Sequence, residues 1–246
     1  MADEKSKILV LVEGEKTDYQ LMERLFDLYG ISGSHEIVSY NTNIYVLYNE
    51  MFRDGNPASM DLLQTLKEHE RDSERRKLFD RRYSDILLIF DLDPQDPAFS
   101  TDKILEMASY FVESSDMGKL YLNYPMVEAF YHMKSIPDEG YNRYTASLEE
   151  LRAKKYKERV NRENRNHSYA KFADTKEECS TVIRQNIEKA WILSGTERLI
   201  GGISQFVPGS VDILKAQLGN LKERQLVSVL CTCVFYIVDY NPALLS

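Results

Sequence analysis

Cysteine is scarce. Cys179, Cys231 and Cys233 are the only three in 246 residues, an odd number with no C-x-x-C pair. That excludes a disulfide framework and a zinc ribbon, and it predicts a reducing, cytoplasmic setting. Long apolar runs are missing too. The longest, Leu226 to Val238, covers about 13 residues where a membrane span needs about 20, so it is expected to be a buried core helix or strand and no membrane partner is expected. The first apolar run, Ile8 to Val12, is too short for a signal peptide. His35, His69 and His167 stand apart from any metal-ligand spacing, and neither G-x-x-x-x-G-K-[ST] nor G-x-S-x-G occurs, which excludes zincin, P-loop and nucleophile-elbow chemistry. A general excess of basic charge is absent as well: 31 Lys+Arg stand against 39 Asp+Glu, a net charge of -8, so any grip on nucleic acid must be local.

What is present is enough for a core, since 43% of residues are hydrophobic. Ile8 to Val12 is a continuous apolar run ended by Glu13-Gly14, the pattern of a strand buried on both faces of a parallel sheet. From Thr17 the spacing turns helical through Leu21, Met22, Leu25, Phe26, Leu28 and Tyr29, with Thr17 or Asp18 placed to cap and Gly30 to end the helix. Strands are predicted at Glu36 to Tyr40 and Asn43 to Tyr48, and a helix at Met60 to His69. Asp85 to Phe90 repeats the buried-strand pattern and stops at Asp91-Leu92-Asp93-Pro94. A helix from Thr101 to Glu113, a strand from Lys119 to Leu122 and a helix from Met126 to Met133 follow. This alternation predicts an α/β domain over residues 1–140. Residues 141–246 form a helical C-terminal region, with helical patterns at Ser147 to Arg159, Asp174 to Trp191 and Ser210 to Asp239.

Strand ends that deliver Glu13, then Asp91 with Asp93, then Glu128 nearby, gather carboxylates at one edge of the predicted sheet. Like charges raise one another's pKa, and a hard divalent cation, Mg²⁺ or Mn²⁺, is the usual relief. A basic run, Arg152 to Arg165, holds seven basic residues against two acidic ones and could track a phosphate backbone through Lys154, Lys155, Lys157 and Arg159, with Tyr156 and Tyr169 near enough to stack on bases. A second basic group, Arg71, Arg75, Arg76, Lys77, Arg81 and Arg82, is diluted by Asp72, Glu74 and Asp80. Glu128 and His132 stand at i,i+4 spacing, which suits either a metal or an exposed helix pair.

Val12-Glu13-Gly14-Glu15-Lys16-Thr17-Asp18 before a helix, Ile89-Phe90-Asp91-Leu92-Asp93, and Asn123-Tyr124-Pro125-Met126-Val127-Glu128 together resemble the Toprim domain, most closely that of RloB-like and OLD-type nucleases. The resemblance spans roughly residues 7–134. It implies a Toprim-like, Rossmann-like, mostly parallel sheet flanked by helices and metal-dependent hydrolysis of phosphodiesters in DNA or RNA, in the setting of bacterial antiphage defence. Carried over by position, Glu13 is the acid/base or metal ligand and Asp91 and Asp93 hold Mg²⁺. Asp18 and Glu128 are further metal ligands, and Lys16 meets a phosphate. Such relatives often work beside an ATPase, so a partner ATPase is expected alongside nucleic acid, and a homodimer is left open. Two other readings stay beside this one: a non-catalytic nucleic-acid- or protein-binding subunit, and a haloacid-dehalogenase-type phosphatase, whose D-x-D pattern Asp91-Leu92-Asp93 follows without the later threonine.

Overall fold

Five consecutive apolar side chains leave a strand no polar face to turn to water, and Ile8–Val12 forms such a strand, β1, with every residue buried. The computed structural model describes residues 7–31, 35–53, 55–196, 199–200, 203–204 and 206–245. After β1 come helix α1 (Thr17–Tyr29), strand β2 (His35–Ser39), helices α2 (Ile44–Met51), α3 (Leu62–His69) and α4 (Ser73–Arg76), strand β3 (Asp85–Asp91), helix α5 (Thr101–Tyr110) and strand β4 (Lys119–Asn123). The four strands make one parallel sheet in the order β2-β1-β3-β4. Val12 of β1 is in register with Ser39 of β2 on one side and with Ile89 of β3 on the other. The chain passes from β1 outward to β2 and from β3 outward to β4 in the opposite direction. The carboxyl ends of β1 and β3 therefore flank a topological switch point, the usual ligand position in an open α/β sheet.

Most of these elements follow the sequence pattern, and the departures have local causes. Asn43 to Tyr48 is helical, not a strand: the Asn43 side chain accepts from the N–H groups of Tyr45 and Val46 at 3.1 and 3.3 Å and so starts α2. Ile44, Tyr45, Leu47 and Met51 then fall on one buried face. At α1, neither Thr17 nor Asp18 is the cap; Lys16 occupies that position without a side-chain hydrogen bond, and Asp18 lies in the first turn. Gly30 ends α1 in the left-handed conformation, φ 69°, as its position requires.

The chain groups into two compact units, Met1–Phe90 with Asp102–Tyr121, and Asp91–Thr101 with Leu122–Ser246. In the first, the residues of β1, Ile86 to Phe90, and Leu21, Met22, Leu25 and Phe26 of α1 are all buried. The second holds strand β5 (Thr145–Ser147), helices α6 (Leu148–Arg152), α7 (Tyr156–Glu163) and α8 (Lys176–Ser194), the short pair β6 (Leu199–Ile200) and β7 (Ile203–Ser204), helix α9 (Ser210–Arg224), strand β8 (Leu226–Ser228) and helix α10 (Tyr236–Tyr240). Two of the expected long helices are interrupted. Residues 147–159 break between α6 and α7, where Lys154 turns left-handed at φ 56°. Residues 210–239 contain α9, then β8 antiparallel to β5, then a 3-10 turn, Cys233–Phe235, leading into α10.

The apolar stretch after α9 is held inside the second unit by two buried asparagines. The Asn123 side chain accepts from the N–H groups of Thr232 and Cys233, and Asn186 Oδ1 accepts from Cys231 N–H at 2.9 Å and from the Tyr141 hydroxyl at 2.6 Å. Lys189 of α8 is buried as well. Its amine donates to the carbonyls of Tyr141 and Tyr144, both at 2.8 Å, and burial lowers its pKa to about 7. Among the described residues no helix is long and apolar enough to cross a membrane.

Candidate metal centre

Strand β3 runs one residue past its apolar core and ends on Asp91, which is buried. Asp91 Oδ1 accepts from the backbone N–H of Val127 at 2.9 Å, which fixes the carboxylate against the start of the 3-10 turn Val127–Tyr131. Leu92 N–H donates to the Asn123 carbonyl at 3.0 Å and so keeps the chain beside the end of β4. Asp93 then turns left-handed, φ 42°. Aspartate is one of the few side chains that tolerates this region, and here it does so directly before Pro94, where helical backbone is disfavoured. The turn closes when Asp96 N–H donates to the Asp93 carbonyl at 2.9 Å, and Gln95 Nε2 donates to Asp93 Oδ1 at 2.9 Å.

Glu128 comes from the same 3-10 turn and is only 2% exposed. Its Oε1 pairs with Lys157 Nζ of α7 at 2.8 Å, whereas Oε2 is buried and has no hydrogen-bond partner among the described residues. A buried acceptor left without a donor is costly, more so on a charged group. The Asp93 carboxyl reports the same imbalance. Burial raises its pKa first, and the charges of Asp96 and Glu128 raise it further, against the Gln95 hydrogen bond and the Lys157 charge, which lower it. Two carboxylates and one ammonium thus act on Asp93 inside the second unit.

Among the described residues no three His, Cys, Asp or Glu side chains stand ready-grouped as a metal-ligand set. The chemistry of the donors still suits a hard cation. They are all carboxylate oxygens, the local charge is negative, and Glu128 Oε2 is a buried acceptor with nothing to accept.

The other expected site residues divide between the two units. Glu13 directly follows β1; its N–H donates to the Ile89 carbonyl at 3.1 Å and its carbonyl accepts from Asn41 N–H at 3.1 Å, so its backbone extends the sheet ladder on both sides. Asp18 is buried in the first turn of α1, a favourable place for a carboxylate at a helix N-terminus. A Cβ on Gly14 would lie 2.8 Å from Asp18 Oδ2, so glycine is required there for the carboxylate to come this close. Lys16 is exposed.

In the second unit, Lys154 and Lys155 are exposed, but Arg159 is tied down. It pairs with Glu150 at 3.1 Å, donates to the Thr145 carbonyl at 2.7 Å and lies over the Tyr156 ring. Lys157 is committed to Glu128. The expectation that Tyr156 could stack on bases is overturned, because the ring is 1% exposed; Tyr169 stacks on Tyr131 with centroids 4.3 Å apart. The expected helix over 126–133 is a short 3-10 turn, and His132 beyond it is no partner of Glu128. Its two ring nitrogens meet the Tyr156 hydroxyl at 3.2 Å and Glu163 at 3.3 Å, and burial, with the nearby Arg159 charge, lowers its pKa to about 4. It is a neutral core histidine.

Asp96 and Gln95 escaped the sequence reading, although Asp91-Leu92-Asp93-Pro94-Gln95-Asp96 carries the signal: a third acid just beyond a proline turn. No protein-family model, curated protein or solved structure matches the chain.

Proposed function

We propose that this chain is a divalent-metal-dependent nuclease of Toprim type, with Mg²⁺ or Mn²⁺ held by Asp91 at the end of β3, Asp93 just beyond it and Glu128 of the Val127–Tyr131 turn. The observation that carries this reading is the buried, incompletely partnered Glu128 beside an Asp93 whose anion is disfavoured by burial and by Asp96 and Glu128. A structural acid has every reason to be completed by protein donors or replaced; an acid kept short of partners is suited to a cation that comes and goes. The parallel sheet with carboxylates at strand ends and the three motifs that resemble the Toprim domain support the same choice.

Asp91, Asp93 and Glu128 would hold the cation, which when bound supplies Lewis-acid stabilisation of a phosphoryl oxygen and a more acidic water. The chain's own contribution is orientation and charge. Val127 N–H holds one oxygen of Asp91, Gln95 holds one oxygen of Asp93, and Lys157 pairs with Glu128. The resemblance gives Glu13 the acid/base role and Asp18 a supporting one. Exposed Lys154 and Lys155 are placed for phosphate contacts that carry no sequence preference. A role in antiphage defence, a partner ATPase and a cytoplasmic setting belong to this proposal.

The test is cleavage of plasmid, single-stranded DNA, bulk RNA and tRNA by the wild type, Glu13→Ala, Asp91→Ala and Asp93→Asn, each with Mg²⁺, Mn²⁺ or EDTA. Metal-dependent cutting by the wild type alone is expected. Cutting that survives in all three variants overturns the reading, and binding of nucleic acid without turnover under any metal moves the chain to the non-catalytic alternative.

A further inference from the structure

A cleft lies within the first unit and is lined by none of the carboxylates assigned above to the metal, although Asn41 in its lining donates its N–H to the Glu13 carbonyl. The edge strand β2 ends at Ser39, and the residues at and after that point line a cleft of about 540 Å³. This volume falls in the ordinary range of small-molecule sites, and the carboxyl end of a strand is where α/β sheets present ligands.

Its lining is of three kinds. The first is aromatic and rigid: the rings of Tyr40 and His69 stack with centroids 4.3 Å apart, and Glu50 holds both, accepting from the Tyr40 hydroxyl at 2.6 Å and meeting His69 Nδ1 at 2.8 Å. The second is an unsatisfied hydroxyl. Ser39 is 7% exposed, and its Oγ is buried with no hydrogen-bond partner among the described residues. The third is a cation at the rim: Arg71 is exposed and makes no ion pair among the described residues, although its neighbours in sequence Lys67, Lys77 and Arg81 are engaged by Asp80, Glu74 and Glu36.

We propose that this cleft binds a nucleotide unit, with the base against the Tyr40–His69 wall, Ser39 Oγ hydrogen-bonded to the base or ribose, and the phosphate on Arg71. Aromatic side chains take any planar base through its π-face, and a guanidinium suits a phosphate because its fork of donors matches two oxygens. A purely apolar ligand would leave Ser39 Oγ without a partner, and inorganic phosphate would make no use of the ring wall. The binding does not depend on the metal-dependent reading, since none of its residues belongs to that site.

The experiment is calorimetric titration of the full chain in EDTA with AMP, GMP, CMP and UMP, with the matching nucleosides, with inorganic phosphate and with a short single-stranded oligonucleotide. At least one nucleoside monophosphate should bind saturably, and Arg71→Ala should weaken it about tenfold, the loss of one charge-assisted contact. Ser39→Ala should weaken the nucleotide and its nucleoside alike, and Arg71→Ala should leave the nucleoside unchanged. An oligonucleotide that binds more tightly than any mononucleotide, with the same sensitivity to both variants, identifies a nucleic-acid strand as the source; equal affinity identifies the free nucleotide. The proposal is overturned by absence of saturable binding for every probe, by affinities unchanged in both variants, or by inorganic phosphate binding as tightly as the nucleotides. Asp93→Asn should keep this binding and lose metal-dependent cleavage, so the two readings fail separately.

Discussion

Two glutamates, one in each unit, show how differently the same side chain is used. Glu50 in the first unit has a partner on each oxygen, the Tyr40 hydroxyl on one and His69 on the other. Glu128 in the second is far more deeply buried, yet it has Lys157 on one oxygen and nothing on the other. Glu50 is therefore a completed clamp whose work is to fix two rings. Glu128 instead adds its charge, as Asp96 does, to the environment of Asp93 and raises that carboxyl's pKa. In the proposed reading, the difference separates a carboxylate that builds the fold from one that would take a ligand.

The largest effect that can break this comparison is on catalysis. Asp91→Ala or Asp93→Asn should lower metal-dependent cleavage by about a hundredfold or more, measured as initial rates with Mg²⁺. Glu50→Gln should leave those rates within about twofold, because it lies outside the metal centre in this account.

Next in size is stability around Glu128. Lys157→Ala strands a buried carboxylate and should cost about 1–3 kcal/mol in urea unfolding, kept from the upper extreme because the lysine itself is largely exposed. Mg²⁺ should restore part of that loss. A Glu50 clamp broken by His69→Ala should destabilise the chain without any response to Mg²⁺.

A smaller, pH-dependent effect sharpens the contrast. The Asp93 carboxyl is held above its ordinary value, so the stability tied to its neutral form is fully present below that ordinary value and is lost as pH rises through the raised one. In EDTA, Asp93→Asn should therefore melt above the wild type at neutral pH, and the gap should close as pH falls towards 3.8, the ordinary aspartate value. Mg²⁺ should reverse the order by stabilising the wild type alone.

The parts of this molecule legible in its sequence were those written in short-range pattern. β1 and β3 are unbroken apolar runs ending in acids, and α1 has a clear helical stripe and a glycine stop. Asn43 to Tyr48 misled because Ile44, Tyr45, Val46 and Tyr48 are all residues that favour strands; the asparagine cap outweighed them. The turn at Val127–Tyr131 is too short for its period to distinguish 3-10 from α backbone. The acids Glu13, Asp91, Asp93 and Glu128 stood out by position, but their partners did not. Lys157 lies 29 residues beyond Glu128, in a basic run whose other members face solvent or, like Arg159, bind elsewhere, and no local pattern marks which lysine turns back.

The smallest effect concerns that asparagine. Asn43→Ala removes the acceptor for two N–H groups at the start of α2 and should cost about 1 kcal/mol in urea unfolding, with no change in metal response.

The most direct test of the central claim is calorimetric titration of Mn²⁺ into the wild-type chain and into Asp93→Asn. Saturable binding to the wild type, lost or weakened by at least about tenfold in the variant, is the predicted result. No saturable binding, or equal binding by both proteins, would contradict the assignment of the Asp91, Asp93 and Glu128 carboxylates as a metal centre.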